Sequence, residues 1–170
     1  MSDQNTFLLK AKEEIKQKIA EETKQLELIK KEQQELQRAK QGYADFYENL
    51  VHFFKESMED FEVTEDELSD YFKENIDEVY QNYVQIRSDA IAEIDALSQY
   101  ISHIKKQLAS NQRPLKFYRS QYIDSDFFDE CMPLVALYQD KIDTYNENIA
   151  LTDDIIHKLG EISDKLVGWN

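Results

Sequence analysis

The stretch Phe61-Glu62-Val63-Thr64-Glu65-Asp66-Glu67-Leu68 decides how this chain folds. It separates two long runs of helical periodicity. Thr64 followed by Glu67 is a capping-box pattern: the threonine hydroxyl accepts from first-turn amides, and the glutamate reaches back to the amide of the cap. The acidic triplet Glu65-Asp66-Glu67 suits the positive end of a helix dipole. A helix is therefore expected from about residue 65, after a turn at Glu62-Val63-Thr64.

Working upstream, the run from about Thr6 to about Phe61 repeats every seven residues. One column reads Ile15, Glu22, Ile29, Leu36, Tyr43, Leu50, Ser57, and the other Ile19, Leu26, Gln33, Lys40, Tyr47, Phe54, Phe61. Five of seven positions in each column are apolar or aromatic, which describes a coiled-coil seam with polar interruptions. Working downstream, Phe72, Ile76, Val79, Tyr83, Ile86, Ala90, Ile94, Leu97, Ile101, Ile104 and Leu108 alternate steps of three and four, as one helix face requires. Ser110-Asn111 and then Pro114 mark the end of that helix.

A third helix is expected to begin between Asp124 and Pro133, with Pro133 in its first turn or kinking it. Its stripe is Tyr138, Ile142, Tyr145, Ile149, Thr152, Ile156, Leu159, Ser163 and Leu166, with Ile155 and Ile162 alongside and Gly168 as a stop. The turn at 62–64 is too short for anything but an antiparallel connection. The expected fold is all-α: an antiparallel, coiled-coil-like hairpin over 1–109 with helices at about 6–61 and 65–109. A linker with room for a short helix follows over 110–132, then a third helix over 133–170. Together they make an elongated three-helix bundle.

Composition agrees. Three glycines and two prolines in 170 residues are too few for a strand-and-turn protein, and Gly42, Gly160 and Gly168 lie too far apart for a phosphate-binding loop. A hydrophobic fraction of 41% is enough for a core. The formal net charge of −15 repels nucleic-acid phosphates and anionic lipid, so neither nucleic acid nor membrane insertion is expected. Cys131 is the sole cysteine, which rules out an intrachain disulfide and reads as a small buried hydrophobe. Residues 1–14 lack an apolar signal-peptide core, and no stretch approaches the roughly 20 apolar residues of a membrane span. The expected location is the cytoplasm, with export only by a route independent of a signal peptide.

Charge is segmented. Residues 43–100 carry 3 basic and 16 acidic groups, whereas residues 101–123 carry 5 basic and none acidic. An antiparallel hairpin would gather the acidic block at its turn, either as a solvated face or as a docking end for a basic surface.

No motif for chemistry stands out. His52, His103 and His157 do not converge in such a hairpin, and no His-x-x-x-His pair occurs. The acidic run 59–67 lacks the glycine and ligand spacing of a calcium loop. A narrow coiled coil offers no cleft for a carboxylate pair. No catalytic residue, cofactor or metal is expected, and the chain reads as a non-enzyme. Aromatic residues crowd the region around the turn, and those off the core stripe are the interface candidates: Phe46, Phe53, Tyr71 and Tyr80. Phe127 and Phe128 form a second candidate anchor.

Leu26 to Leu108 is similar in rhythm to the small helical-hairpin partner proteins of Gram-positive type VII secretion, in particular the helpers associated with LXG-domain toxins. Glu67-Leu68-Ser69-Asp70-Tyr71-Phe72, followed by Tyr80, Tyr83 and Ile94, carries the resemblance over about half of the chain. The chain departs from the WXG class in having no Trp-x-Gly at the turn, its one tryptophan being Trp169. Tyr122 and Asp126 match a Tyr-x-x-x-Asp export signal at a frequency that chance alone supplies. The resemblance implies an adaptor or chaperone that pairs with the helical region of a secreted toxin, burying helix in groove. A structural homo-oligomeric coiled coil, such as a homodimer, and an acidic immunity-type inhibitor of a toxin are the competing expectations.

Overall fold

The computed structural model describes residues 2–112 and 125–169, with side chains described over 9–106 and 131–167. The described residues form four helices and no strand: α1 Ser2–Glu48, α2 Leu50–Phe61, α3 Glu65–Gln112 and α4 Ser125–Trp169. Lys, Glu, Gln, Leu and Ala, all strong helix formers, dominate α1, which meets no proline. Among the described residues no helix is long and apolar enough to cross a membrane.

Three boundaries differ from the sequence expectation. The run expected as one helix over 6–61 is divided at Asn49, whose backbone sits at φ −102°, ψ 11°. The Asn49 amide N–H and its side-chain Nδ2 both donate to the Asp45 carbonyl, at 3.1 and 2.9 Å. Asparagine competes in this way with regular helix geometry. Phe53 N–H still donates to Asn49 O at 2.9 Å, so the ladder resumes at once.

The second difference is the end of α3, which reaches Gln112 instead of stopping at about 109. The third concerns the domain boundary at 133: α4 starts at Ser125, inside the expected window of 124–133, so that part of the expected 110–132 linker is helical and Pro133 lies in the helix interior. An interior proline costs about 3 kcal/mol. Burial of Cys131, Leu134, Val135 and Tyr138 around it offsets that cost. Residues 113–124 of the expected linker lie outside the described residues.

At the turn, the Glu67 N–H donates to Thr64 Oγ1 at 3.2 Å, the threonine half of the capping box. Glu62 closes α2 in the left-handed region, at φ 50° and ψ 41°. A side chain there is strained where glycine would not be.

The chain divides into two compact units. The first comprises Met1–Lys31 and Ala92–Tyr145. Its core is Leu97, Ile101, Leu134, Val135, Tyr138 and Ile142, bordered by Ile19, Ile94, Ile104 and Tyr145. Buried in it, Lys141 Nζ donates to Glu22 Oε2 at 2.5 Å and to Gln25 Oε1 at 2.9 Å. Glu22, a polar interruption of the seam, is thus matched by a cation.

The second unit comprises Glu32–Ile91 and Asn146–Asn170. Here α4 contributes Ile155, Leu159, Ile162 and Leu166, all fully buried, against Leu36, Leu50, Phe54, Leu68 and Ile76. Two further seam interruptions also meet α4: Gln33 Nε2 donates to Glu147 Oε2 at 2.7 Å, and Lys40 Nζ to Asp154 Oδ2 at 2.9 Å. Asp153 faces the other way and accepts from Arg87 Nε at 2.6 Å. Within this unit, α4 runs parallel to α1 and antiparallel to α3. Ser69 Oγ on α3 donates to Leu166 O at 3.1 Å, tying α3 to the last turn of α4.

Candidate protein-binding cleft

All of the cleft lies in the second unit. On α2, Phe53, Ser57 and Phe61 stand four residues apart and so share one helix face. Val63 in the turn and Glu67, Leu68, Tyr71 and Phe72 on α3 complete a cavity of about 560 Å³. The sequence reading allowed no cleft, because it took the hairpin to be a narrow coiled coil up to its turn. Six aromatic and aliphatic residues around a short turn leave more room than a two-helix seam does.

Phe72 is the hub. Its ring centroid lies 5.3 Å from Phe53, 5.4 Å from Phe54, 5.6 Å from Tyr71 and 6.0 Å from Phe46. Phe46 in turn meets Phe53 at 5.3 Å, edge to face. These are separations at which offset and edge-on aromatic pairs attract. The inner wall is therefore held rigid, while the outer wall is open: Phe61 is 72% and Tyr71 61% exposed. Exposed apolar surface of this kind, rimmed by polar residues, marks interaction sites.

The candidates proposed from sequence divide accordingly. Phe53 and Tyr71 line the cleft. Phe46 and Tyr80 pack against the core of the second unit. The side chains of Phe127 and Phe128 lie outside the described residues. Sequence reasoning missed Phe61 and Phe72, which it assigned to the seam. Phe61 ends α2 at the turn, so its seam column has no further partner.

The lining offers the Glu67 carboxylate, the Ser57 and Tyr71 hydroxyls and otherwise hydrocarbon surface, a setting suited to receiving an apolar side chain. Among the described residues no group of three His, Cys, Asp or Glu side chains could hold a metal. His52 and His157 stand on the surface beside Glu56 and Glu161, at 3.2 and 3.0 Å. Nearby, the Tyr47 ring lies between Lys158 and Lys165, each 4.7 Å from its centroid. Elsewhere in this unit, burial and then the Tyr43 hydroxyl push the Tyr83 phenol up to about 12. Burial, then the Glu35 and Asp89 carboxylates, raise Glu32 above the usual carboxylate range.

In comparisons with protein-family models, curated proteins and solved structures, the chain finds no match.

Proposed function

We propose that this chain is a non-enzymatic protein-binding module, a helical hairpin with α4 laid against it that pairs with a helical segment of a client protein. The observation that carries this reading is the open cleft at the α2–α3 turn, with Phe61 and Tyr71 held exposed beside a fixed aromatic wall. A monomer that needed no partner would gain by replacing both with polar residues. The rhythm of 26–108 suggests the client class: the helical region of a toxin exported by a type VII route, for which the chain acts as adaptor or chaperone.

The test is to purify the full chain, determine its mass by light scattering, and present it to a lysate of its own organism. One helical protein captured in stoichiometric amount, and lost with the Phe61→Ser/Tyr71→Ser variant, is the expected result. A tight homo-oligomer that captures nothing would favour a structural coiled coil. Capture of a folded toxin domain, reversed by salt, would favour an immunity-type inhibitor.

A further inference from the structure

We infer that the cleft between α2 and α3 takes an amphipathic helical segment of another protein whose large apolar side chains are flanked by lysines or arginines. This rests on the protein-binding reading and adds the charge of the partner, which that reading leaves open.

Two observations combine. The cavity is apolar and of about 560 Å³, within the range of about 300–1,000 Å³ common to ligand pockets. Its surroundings are acidic on every side. On α2, Glu56 and Asp60 stand three residues beyond Phe53 and Ser57, neighbours on the helix surface. On α3, Asp70 and Glu74 stand three residues beyond Glu67 and Tyr71. Glu62 occupies the turn between them, and all five of these carboxylates are exposed. Between residues 53 and 74 there are nine acidic residues against two basic ones, Lys55 and Lys73.

Among the described residues, no carboxylate from 59 to 70 forms an ion pair. Elsewhere the chain does match acids with bases, at Glu22, Asp153 and Asp154. A partner that neutralised this rim would gain both on-rate and selectivity, and an acidic or neutral helix of equal apolarity would be turned away.

Another molecule of this chain is the weaker occupant. Its net charge is −15, and a symmetric contact would set rim against rim. Its one acid-free basic segment, 101–123, is nonetheless a candidate that the experiment must separate.

The probe is a synthetic amphipathic peptide of about 18 residues, or five turns. Leucine and phenylalanine occupy i, i+4 and i+7, with lysine on both flanks. A second peptide replaces every lysine with glutamate. Binding to the full-length chain is followed by fluorescence anisotropy. At about 50 mM salt the lysine peptide is expected to bind at least about tenfold more tightly, and at about 500 mM this preference should shrink to below about threefold. Phe61→Ser/Tyr71→Ser should weaken the lysine peptide about tenfold, and both residues are exposed enough to leave folding intact. Asp60→Asn/Glu62→Gln/Asp70→Asn should abolish most of the preference without reducing apolar binding.

Equal binding of the two peptides would overturn the inference while sparing the protein-binding reading. Binding that ignores both sets of variants, or no binding at all, would also overturn it, and client capture by the intact chain then decides the broader reading separately. Self-association that is salt-sensitive and excludes the peptide would assign the cleft to a second copy instead.

Discussion

Around Ile142, the interior of the 1–31/92–145 unit holds the Lys141 ammonium against the Glu22 carboxylate, both nearly inaccessible to water. Around Leu159, the interior of the 32–91/146–170 unit holds no buried ion pair among the described residues: hydrocarbon and rings are joined there by the neutral polar side chains of Ser69, Asn148 and Thr152, and its polar seam residues, Gln33 and Lys40, reach their partners at the surface. The same heptad column supplies Glu22 to one core and Leu36 and Leu50 to the other. A buried ion pair adds little net stability, because desolvation consumes most of the attraction, but it heavily penalises any register that separates the charges. The aromatic unit draws its stability from burial and leaves surplus apolar surface at its turn.

The comparison can be broken most sharply at Lys141. We expect Lys141→Met alone to cost about 3–5 kcal/mol by chemical denaturation, since Glu22 would be left buried without a partner. Adding Glu22→Leu should restore the loss or exceed it. A single variant within about 0.5 kcal/mol of the parent would show that the pair is not a determinant of that core.

Ser69→Ala should cost about 0.5–1.5 kcal/mol, by removing the buried hydrogen bond to the Leu166 carbonyl. Faster hydrogen exchange should be confined to residues 146–166, leaving the other unit protected; uniform loss of protection would mean that the units do not respond separately.

Both units should weaken in alkali. Tyr83, and Tyr138 through burial and then Glu22, titrate near 12 when folded against an ordinary 10.0. The unfolded chain releases these protons first, so stability is unaffected below pH 10 and falls between about 10 and 12. Tyr83→Phe/Tyr138→Phe should flatten that fall, and an unchanged pH profile would exclude these phenols as its source.

The smallest effect is expected at the turn. Glu62→Gly should stabilise by about 0.5–1 kcal/mol less its own cost in chain entropy, because it relieves the left-handed backbone. A clear loss in thermal stability would show that the Glu62 side chain has a role that its backbone does not reveal.

Much of this was legible in the sequence. Helical periodicity identified the all-α class because Leu36, Leu50, Leu97, Ile101, Ile142, Leu159 and Leu166 occupy the stripes it drew and are buried. The Thr64 cap was legible because it depends only on neighbours within one turn. The interruption at Asn49 was not, since a local side-chain bond to Asp45 leaves the heptad pattern intact. The entry into α4 at Ser125 fell inside the expected window of 124–133, but the domain boundary was drawn at 133 because Pro133 carries a strong local signal, and the burial that overrides it comes from residues far away in sequence. The cleft was half legible. Phe53 and Tyr71 stood out as off-stripe aromatics, but Phe61 looked like seam, and nothing in a one-dimensional pattern says where a seam runs out of partners. Likewise Glu22 read as a flaw until Lys141, 119 residues away, supplied its counter-ion.

The parallel pairing of α1 with α4 has a consequence for synthesis. Lys40 waits for Asp154 across 114 residues of chain. At about 5–20 residues per second, a ribosome takes roughly 6–23 s to make that span. From the addition of Phe54 to the end of that interval, Leu36, Leu50 and Phe54 have been translated while Ile155, Leu159 and Ile162 have not. The nascent chain therefore spends seconds with an uncovered greasy flank, a window in which a chaperone or a co-translationally encountered partner competes directly with α4.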